Sequence, residues 1–253
     1  MGGNIKRKLG NGSFAEVLPS PSNPDNECLK LFYKDSEGSS IFRELDVLQS
    51  VRNCQNCCQL LRVVDMEKEM FGLYTEMQKK RRKNFEQFAL LFKRDYKCYD
   101  RFCLRKYTKK QQVLSVIYDV IEAVSELHEQ GILHNDLKTD NILVNKEDKE
   151  GIIIDFGYSC PKGMFEIKPQ WNIMDQAIVP PEYSGIVSRM VPNEKLDIWC
   201  LGNLLYFYLS PGSFVNSFYF ENHPLPRTKV LHSLRVNIFV RLADDFVVSF
   251  ATK

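Results

Sequence analysis

The stretch Ile132-Leu133-His134-Asn135-Asp136-Leu137-Lys138-Thr139-Asp140-Asn141-Ile142-Leu143-Val144, followed after a polar turn by Gly151-Ile152-Ile153-Ile154-Asp155-Phe156-Gly157-Tyr158-Ser159, decides how this chain is read. Each half sets polar residues at the ends of short apolar runs, and loops placed in this way usually carry function. His134, Asp136, Lys138, Asn141 and Asp155 together offer two carboxylates, an amide oxygen and an ammonium. A turn or capping role explains Asn141 or Asp148 singly, but not the ordered set. Phosphoryl transfer requires this combination: hard oxygen ligands for Mg2+, a carboxylate to orient a hydroxyl, and a cation to offset developing charge.

Upstream, Val113 to Gln130 carries Leu114, Ile117, Val120, Ile121, Val124 and Leu127 at helical spacing, with Gly131 placed to end the helix. The first 80 or so residues read as short strands broken by turns, with one helix. AEVL (15 to 18) and ECLKLFY (27 to 33) flank the turn-rich Pro19 to Asn26, which predicts a hairpin with a long loop. Ile41, Leu45, Leu48, Val47 and Val51 recur at helical spacing within Ser40 to Val51, and FGLYTEM (71 to 77) reads as a strand. The expected architecture is α+β in two lobes, a small β-rich one over about 1–77 and a mainly helical one over about 78–253, forming a single domain.

In order along the chain, these segments resemble the eukaryotic protein kinase family from about Leu9 to about Leu209. Leu9-Gly10-Asn11-Gly12-Ser13-Phe14-Ala15-Glu16-Val17 is similar to its Gly-rich loop, with Ala15 at the third glycine position. The resemblance implies that Gly10 to Ala15 approach the phosphates of ATP, that Phe14 caps the loop tip and that Val17 covers the adenine. It makes Lys30 the strand lysine on the phosphates and Glu44 its ion-pair partner. Thr75-Glu76-Met77-Gln78 resembles the gatekeeper and hinge, which would put the backbone of Glu76 and Gln78 on adenine. In the catalytic loop it implies Asp136 for the substrate hydroxyl, Lys138 at the serine/threonine-type position steadying the phosphate, and Asn141 as a Mg2+ ligand, with Asp155 of Asp155-Phe156-Gly157 as the other. Pro180-Pro181-Glu182 resembles the Ala-Pro-Glu motif, and Asp197 to Gly202 the start of a buried helix whose aspartate ties down the catalytic loop.

Two departures matter. Asn135 stands where many members carry an arginine that pairs with a phosphorylated activation segment, and no threonine lies between Tyr158 and Val179. Activity independent of phosphorylation in that segment is therefore expected. Only 51 residues follow Gly202, so the helical lobe reads as shortened, with Arg235 or Arg241 as candidate partner of Glu182.

Composition is that of an ordinary globular chain: 253 residues, 44% hydrophobic, net charge +2. Residues 79 to 110 hold thirteen Lys/Arg against three acids. That excess can attract acidic peptide substrates, nucleic acid or anionic lipid, act as a nuclear address, or be simply a solvated surface; an acid-flanked protein substrate is the sharper expectation, and a nucleic-acid partner is not expected. No apolar run approaches a membrane span or signal peptide, which predicts a cytoplasmic or nuclear protein. Eight scattered cysteines are expected as reduced thiols, and Cys54-x-x-Cys57-Cys58 has the spacing of half a zinc site without a second half. The function expected is an ATP- and Mg2+-dependent serine/threonine protein kinase. The alternatives are a pseudokinase scaffold and a phosphotransferase similar to the choline and aminoglycoside kinases, kept open by His134-Asn135-Asp136.

Overall fold

A computed structural model describes residues 8–12, 14–34, 41–81, 84–94, 99–101, 110–145, 150–164 and 191–209. Ser13, the Pro180-Pro181-Glu182 motif, Arg235, Arg241 and most of the segment read as a shortened lobe lie outside the described residues.

Five antiparallel strands form the N-terminal lobe: β1 (Gly10–Asn11), β2 (Ala15–Pro19), β3 (Glu27–Tyr33), β4 (Leu60–Asp65) and β5 (Phe85–Lys93), in the order β1-β2-β3-β5-β4. Alternation along β3 sends Cys28, Lys30 and Phe32 to one face and Leu29, Leu31 and Tyr33 to the other. Helix α1 (Ile41–Ser50) covers the first face with Ile41, Val47 and Leu48. A second helix pair, α2 (Met66–Glu69) and α3 (Phe71–Arg81), covers the other through Met66, Tyr74 and Met77, packed with Leu29, Leu31, Val64, Ala89 and Leu91. The sheet is thus apolar on both faces, which is why β5 reads Ala89-Leu90-Leu91-Phe92 without alternation.

FGLYTEM is therefore helical, against the expected strand. Met66, Met70, Leu73, Tyr74 and Met77 fall at helical spacing, and their burial against the sheet outweighs the β preference of the aromatics. Asp65 caps the segment, its carboxylate accepting from Lys68 N–H at 3.2 Å while Glu69 reaches back to Asp65 N–H at 3.0 Å. The lobe boundary moves accordingly from Met77 to the end of β5 at Lys93.

Past that boundary α4 (Lys110–Glu129) supplies the spine of the second lobe, burying Val113, Val116, Ile117, Val120, Ala123, Val124 and Leu127. Leu114, read as part of the stripe, is 37% exposed. Gly131 ends the helix at φ 72°, its N–H on His128 O at 3.0 Å. Short strands follow: β6 (Tyr99–Arg101), β8 (Ile142–Asn145) and β9 (Gly151–Ile153) in one sheet, β7 (Ile132–Leu133) paired with β10 (Cys160–Pro161) in another. Gly151 is required where β9 crosses α4, because a Cβ there would lie 2.7 Å from Val116 O. Helix α5 (Glu194–Leu209) packs Leu196, Leu201 and Leu204 into the same core. Among the described residues no helix is long and apolar enough to cross a membrane.

Candidate active site

The site is built where the α1 face of the sheet meets the loops after β7 and β9. Lys30 projects from β3 and Glu44 from α1, and the lysine Nζ lies 2.7 and 2.8 Å from the two Glu44 oxygens and 2.8 Å from Asp155 Oδ1. Lys30 and Glu44 side chains are 12% and 2% exposed. Burial alone would lower the Lys30 pKa, but the carboxylates of Glu44 and Asp155 outweigh it and hold the ammonium above its usual range. Burial pushes Glu44 up against the pull of Lys30. Asp155 also pays for desolvation, yet the Lys30 charge keeps its carboxyl below the usual range. We take this trio as one cation between carboxylates, the state that the three short contacts require.

Asp136 lies in a second ionic group. Lys138 Nζ is 2.9 Å from its carboxylate, and Asn141 Nδ2 donates to Asp136 Oδ2 and to its backbone carbonyl, each at 2.8 Å. Burial raises the Asp136 pKa, opposed by Lys138. Asn141 is held by a short helical turn over Thr139–Asn141 and is itself buried.

Beneath these loops, Asp197 on α5 accepts the N–H groups of His134 (2.9 Å, Oδ2) and Asn135 (2.8 Å, Oδ1), while His128 Nε2 sits 2.9 Å from Oδ2. His134 accepts Asp136 N–H at Nδ1 (3.3 Å), which leaves its Nε2–H to donate to Ile154 O at 3.3 Å. Among the described non-glycine residues, Asn135 (φ 63°) and Asp155 (φ 67°) alone adopt positive φ. Strain of about 1–3 kcal/mol each is sustained here by the surrounding hydrogen bonds.

The sequence reading missed what Asn135 does. Its Nδ2 donates to Tyr158 O at 3.1 Å and lies 3.3 Å from Cys160 Sγ, tying the residues after Asp155-Phe156-Gly157 to the catalytic loop. Nothing in the sequence signals this beyond asparagine's tolerance of the left-handed region.

The Gly-rich loop is the β1–β2 hairpin, closed by Gly12 N–H on Ala15 O at 3.0 Å. Phe14 meets Tyr158 edge-on with centroids 5.9 Å apart, so the loop tip rests on the segment after Asp155. Ala15 and Val17 share the Lys30 face of the sheet, as registers Ala15↔Phe32 and Val17↔Lys30 require. Glu76 and Gln78 do not join this group. They lie on α3, packed against the opposite face, so they cannot serve as the hinge expected from the sequence. The strand that leaves the sheet toward the second lobe is β5, with Phe92 opposite Cys28 on the Lys30 face. Among the described residues no group of three or more His, Cys, Asp or Glu side chains is placed to hold a metal ion.

A family profile described as "Protein kinase domain" matches residues 4–223. The chain is 25% identical over 211 residues to the calcium/calmodulin-dependent protein kinase type 1 of Caenorhabditis briggsae, covering 79% of this chain and 52% of that protein. It is 34% identical over 120 residues to the ribosomal protein S6 kinase 2 beta of Xenopus laevis, covering 44% and 18%. With the maternal embryonic leucine zipper kinase of Xenopus laevis it shares 25% identity over 208 residues, covering 80% and 29%. The chain spans about half the length of the Caenorhabditis relative, 52%, and less of the other two. With this profile match over most of its length, on a two-lobed fold that joins Lys30 to Glu44 and Asp155, the chain belongs to the protein kinase domain family.

Proposed function

We propose that this chain transfers the γ-phosphoryl group of ATP to serine or threonine hydroxyls of proteins. The observation that carries the proposal is the contact of Lys30 with both Glu44 and Asp155, which supports a cleft already arranged for a triphosphate. Lys30, fixed by Glu44, offers its charge to the nucleotide phosphates. Asp136 faces the incoming hydroxyl and accepts its proton, a role its raised pKa favours over that of a free aspartate. Lys138, two residues on, supplies positive charge beside the transferring group.

The donor set suits Mg2+. Asn141 commits its Nδ2 to Asp136, which leaves the amide oxygen as its remaining acceptor. The Asp155 carboxylate is 44% exposed. One carboxylate and one amide oxygen, completed by phosphate and water, are typical for this ion. When bound, Mg2+ neutralises charge on the phosphates. Gly12 fits the same reading: among the described residues a Cβ there would meet only Ala15 O, at 3.7 Å, so they leave room for a side chain. The glycine keeps that space for the nucleotide.

Because Asn135 fastens Tyr158 with a neutral hydrogen bond, activity should survive phosphatase treatment; a large loss confined to Tyr158 or Ser159 dephosphorylation counts against this. An acid-flanked substrate is inferred from the charge of residues 79 to 83 alone, and an unchanged peptide preference after reversing those charges removes it.

The deciding assay is transfer from γ-labelled ATP with Mg2+ to a protein and peptide pool, beside Lys30→Met and Asp155→Asn. Label on serine or threonine that both substitutions abolish supports the proposal. Label on small alcohols alone, or none, replaces it with a small-molecule phosphotransferase or a binding scaffold.

A further inference from the structure

Cys54-Gln55-Asn56-Cys57-Cys58 joins α1, the helix of Glu44, to β4. It folds as consecutive turns, with Cys54 N–H on Val51 O (3.0 Å) and Cys57 N–H on Cys54 O (3.4 Å). The segment is docked on β9, the strand that runs into Asp155. Cys58 N–H donates to Ile153 O at 2.9 Å, Ile153 N–H to Asn56 O at 2.8 Å, and Asn56 Nδ2 to Gly151 O at 3.0 Å. It therefore couples the helix of one Lys30-binding carboxylate to the strand of the other.

Inside this joint Cys57 S–H points at Cys54 Sγ, with 2.9 Å between the sulfurs. That is closer than the roughly 3.5–4.0 Å of ordinary non-bonded contact. A disulfide bond is about 2.05 Å long, so closing it asks for a movement of about 0.9 Å. Both thiols are buried, at 1% and 2% exposure, while Arg52, Asn53 and Gln55 between and beside them face solvent. Access therefore depends on opening one surface turn and not on unfolding the core.

We propose that Cys54 and Cys57 are a redox pair, closed by a peroxide into a disulfide that latches the joint between α1 and β9. Cys54, whose sulfur accepts the hydrogen bond, gives up its own proton and attacks one peroxide oxygen; the O–O bond breaks, water leaves, and a sulfenic acid forms. Cys57 sulfur then displaces that hydroxyl, which departs with the Cys57 proton as a second water as the S–S bond forms. Two thiols are oxidised to one disulfide and one hydrogen peroxide is reduced to two waters. A cross-link that fits the assembled arrangement of Lys30, Glu44 and Asp155 favours it over any in which the turn and β9 part.

The test treats the whole chain with hydrogen peroxide, alkylates the remaining thiols, and sequences the digest by mass spectrometry. The peptide holding all three cysteines should be short by two hydrogens at Cys54 and Cys57 with the alkyl group on Cys58, and dithiothreitol should reverse it. Oxidised protein should melt a few degrees above reduced protein. Cys54→Ser and Cys57→Ser should each lose both changes, and Cys58→Ser should keep them. The dithiothreitol reversal on unmodified protein reads the latch independently of whether a serine variant folds. Peroxide that leaves both thiols open to alkylation, couples Cys58 instead, or lowers the melting temperature would overturn the proposal.

Discussion

Asp136 carries the proton chemistry of the proposed reaction, and its surroundings set the pH at which it can do so. Burial raises its pKa and Lys138 pulls it back. Because the proton acceptor must be ionised, kcat/KM should fall as pH drops through that raised pKa, on a limb above the roughly 3.9 of a free aspartate. Lys138→Met removes the opposing charge, so the limb should move to higher pH; a limb that stays or moves down contradicts the assignment. Gly12 offers a second test at this scale. Gly12→Ala should leave the melting temperature unchanged or slightly higher, alanine costing the unfolded chain entropy worth about 0.4–1 kcal/mol, while KM for ATP rises several-fold. A fall in stability with an unchanged KM would show that the loop needs glycine for its own backbone. That Lys30 would meet Glu44, and that Asp136, Lys138, Asn141 and Asp155 would lie in adjoining loops, was legible because these residue types stand in a fixed order along the chain. Asn135 was legible only as a missing charge. Its hydrogen bond to Tyr158 arises because β7 and β10 pair, and that long-range pairing leaves no local pattern.

At the scale of elements, α1 and α4 follow from periodicity, because each buries a single face, and the β2–β3 hairpin follows from the turn formers between its two strands. Two elements did not. FGLYTEM is rich in aromatic and β-branched residues, and the helix forms because Met66, Met70, Tyr74 and Met77 bury together on the sheet. β5 was hidden by its lack of alternation, a direct result of having helices on both faces, and by the charges that flank it. Once α3 occupies the outer face, residues 76 and 78 are unavailable to the cleft, and their expected hinge role falls with the expected strand. Met77 is fully buried in that outer layer. Met77→Ala should cost about 2–5 kcal/mol in chemical denaturation, as deletion of a core methionine does. A loss below about 0.5 kcal/mol, ordinary for a surface position, would mean that α3 does not pack there.

Over the whole molecule, the site depends on parts far apart in sequence: Lys30 and Asp155 are separated by 125 positions and His134 and Asp197 by 63. Asp197 anchors the catalytic loop from α5 by accepting two backbone N–H groups that have no solvent to turn to. The two-lobed plan was readable from the order of motifs, whereas the position of the lobe boundary was not, since it rests on which strands pair. The most direct test of the account uses one preparation of Asp136→Asn to measure both ATP binding and phosphoryl transfer to protein. The account predicts nucleotide affinity within twofold or so of the unmodified chain and transfer reduced by about 10²–10⁴, the range for loss of a general base. Transfer at the unmodified rate, or nucleotide binding without transfer by the unmodified chain itself, would contradict it.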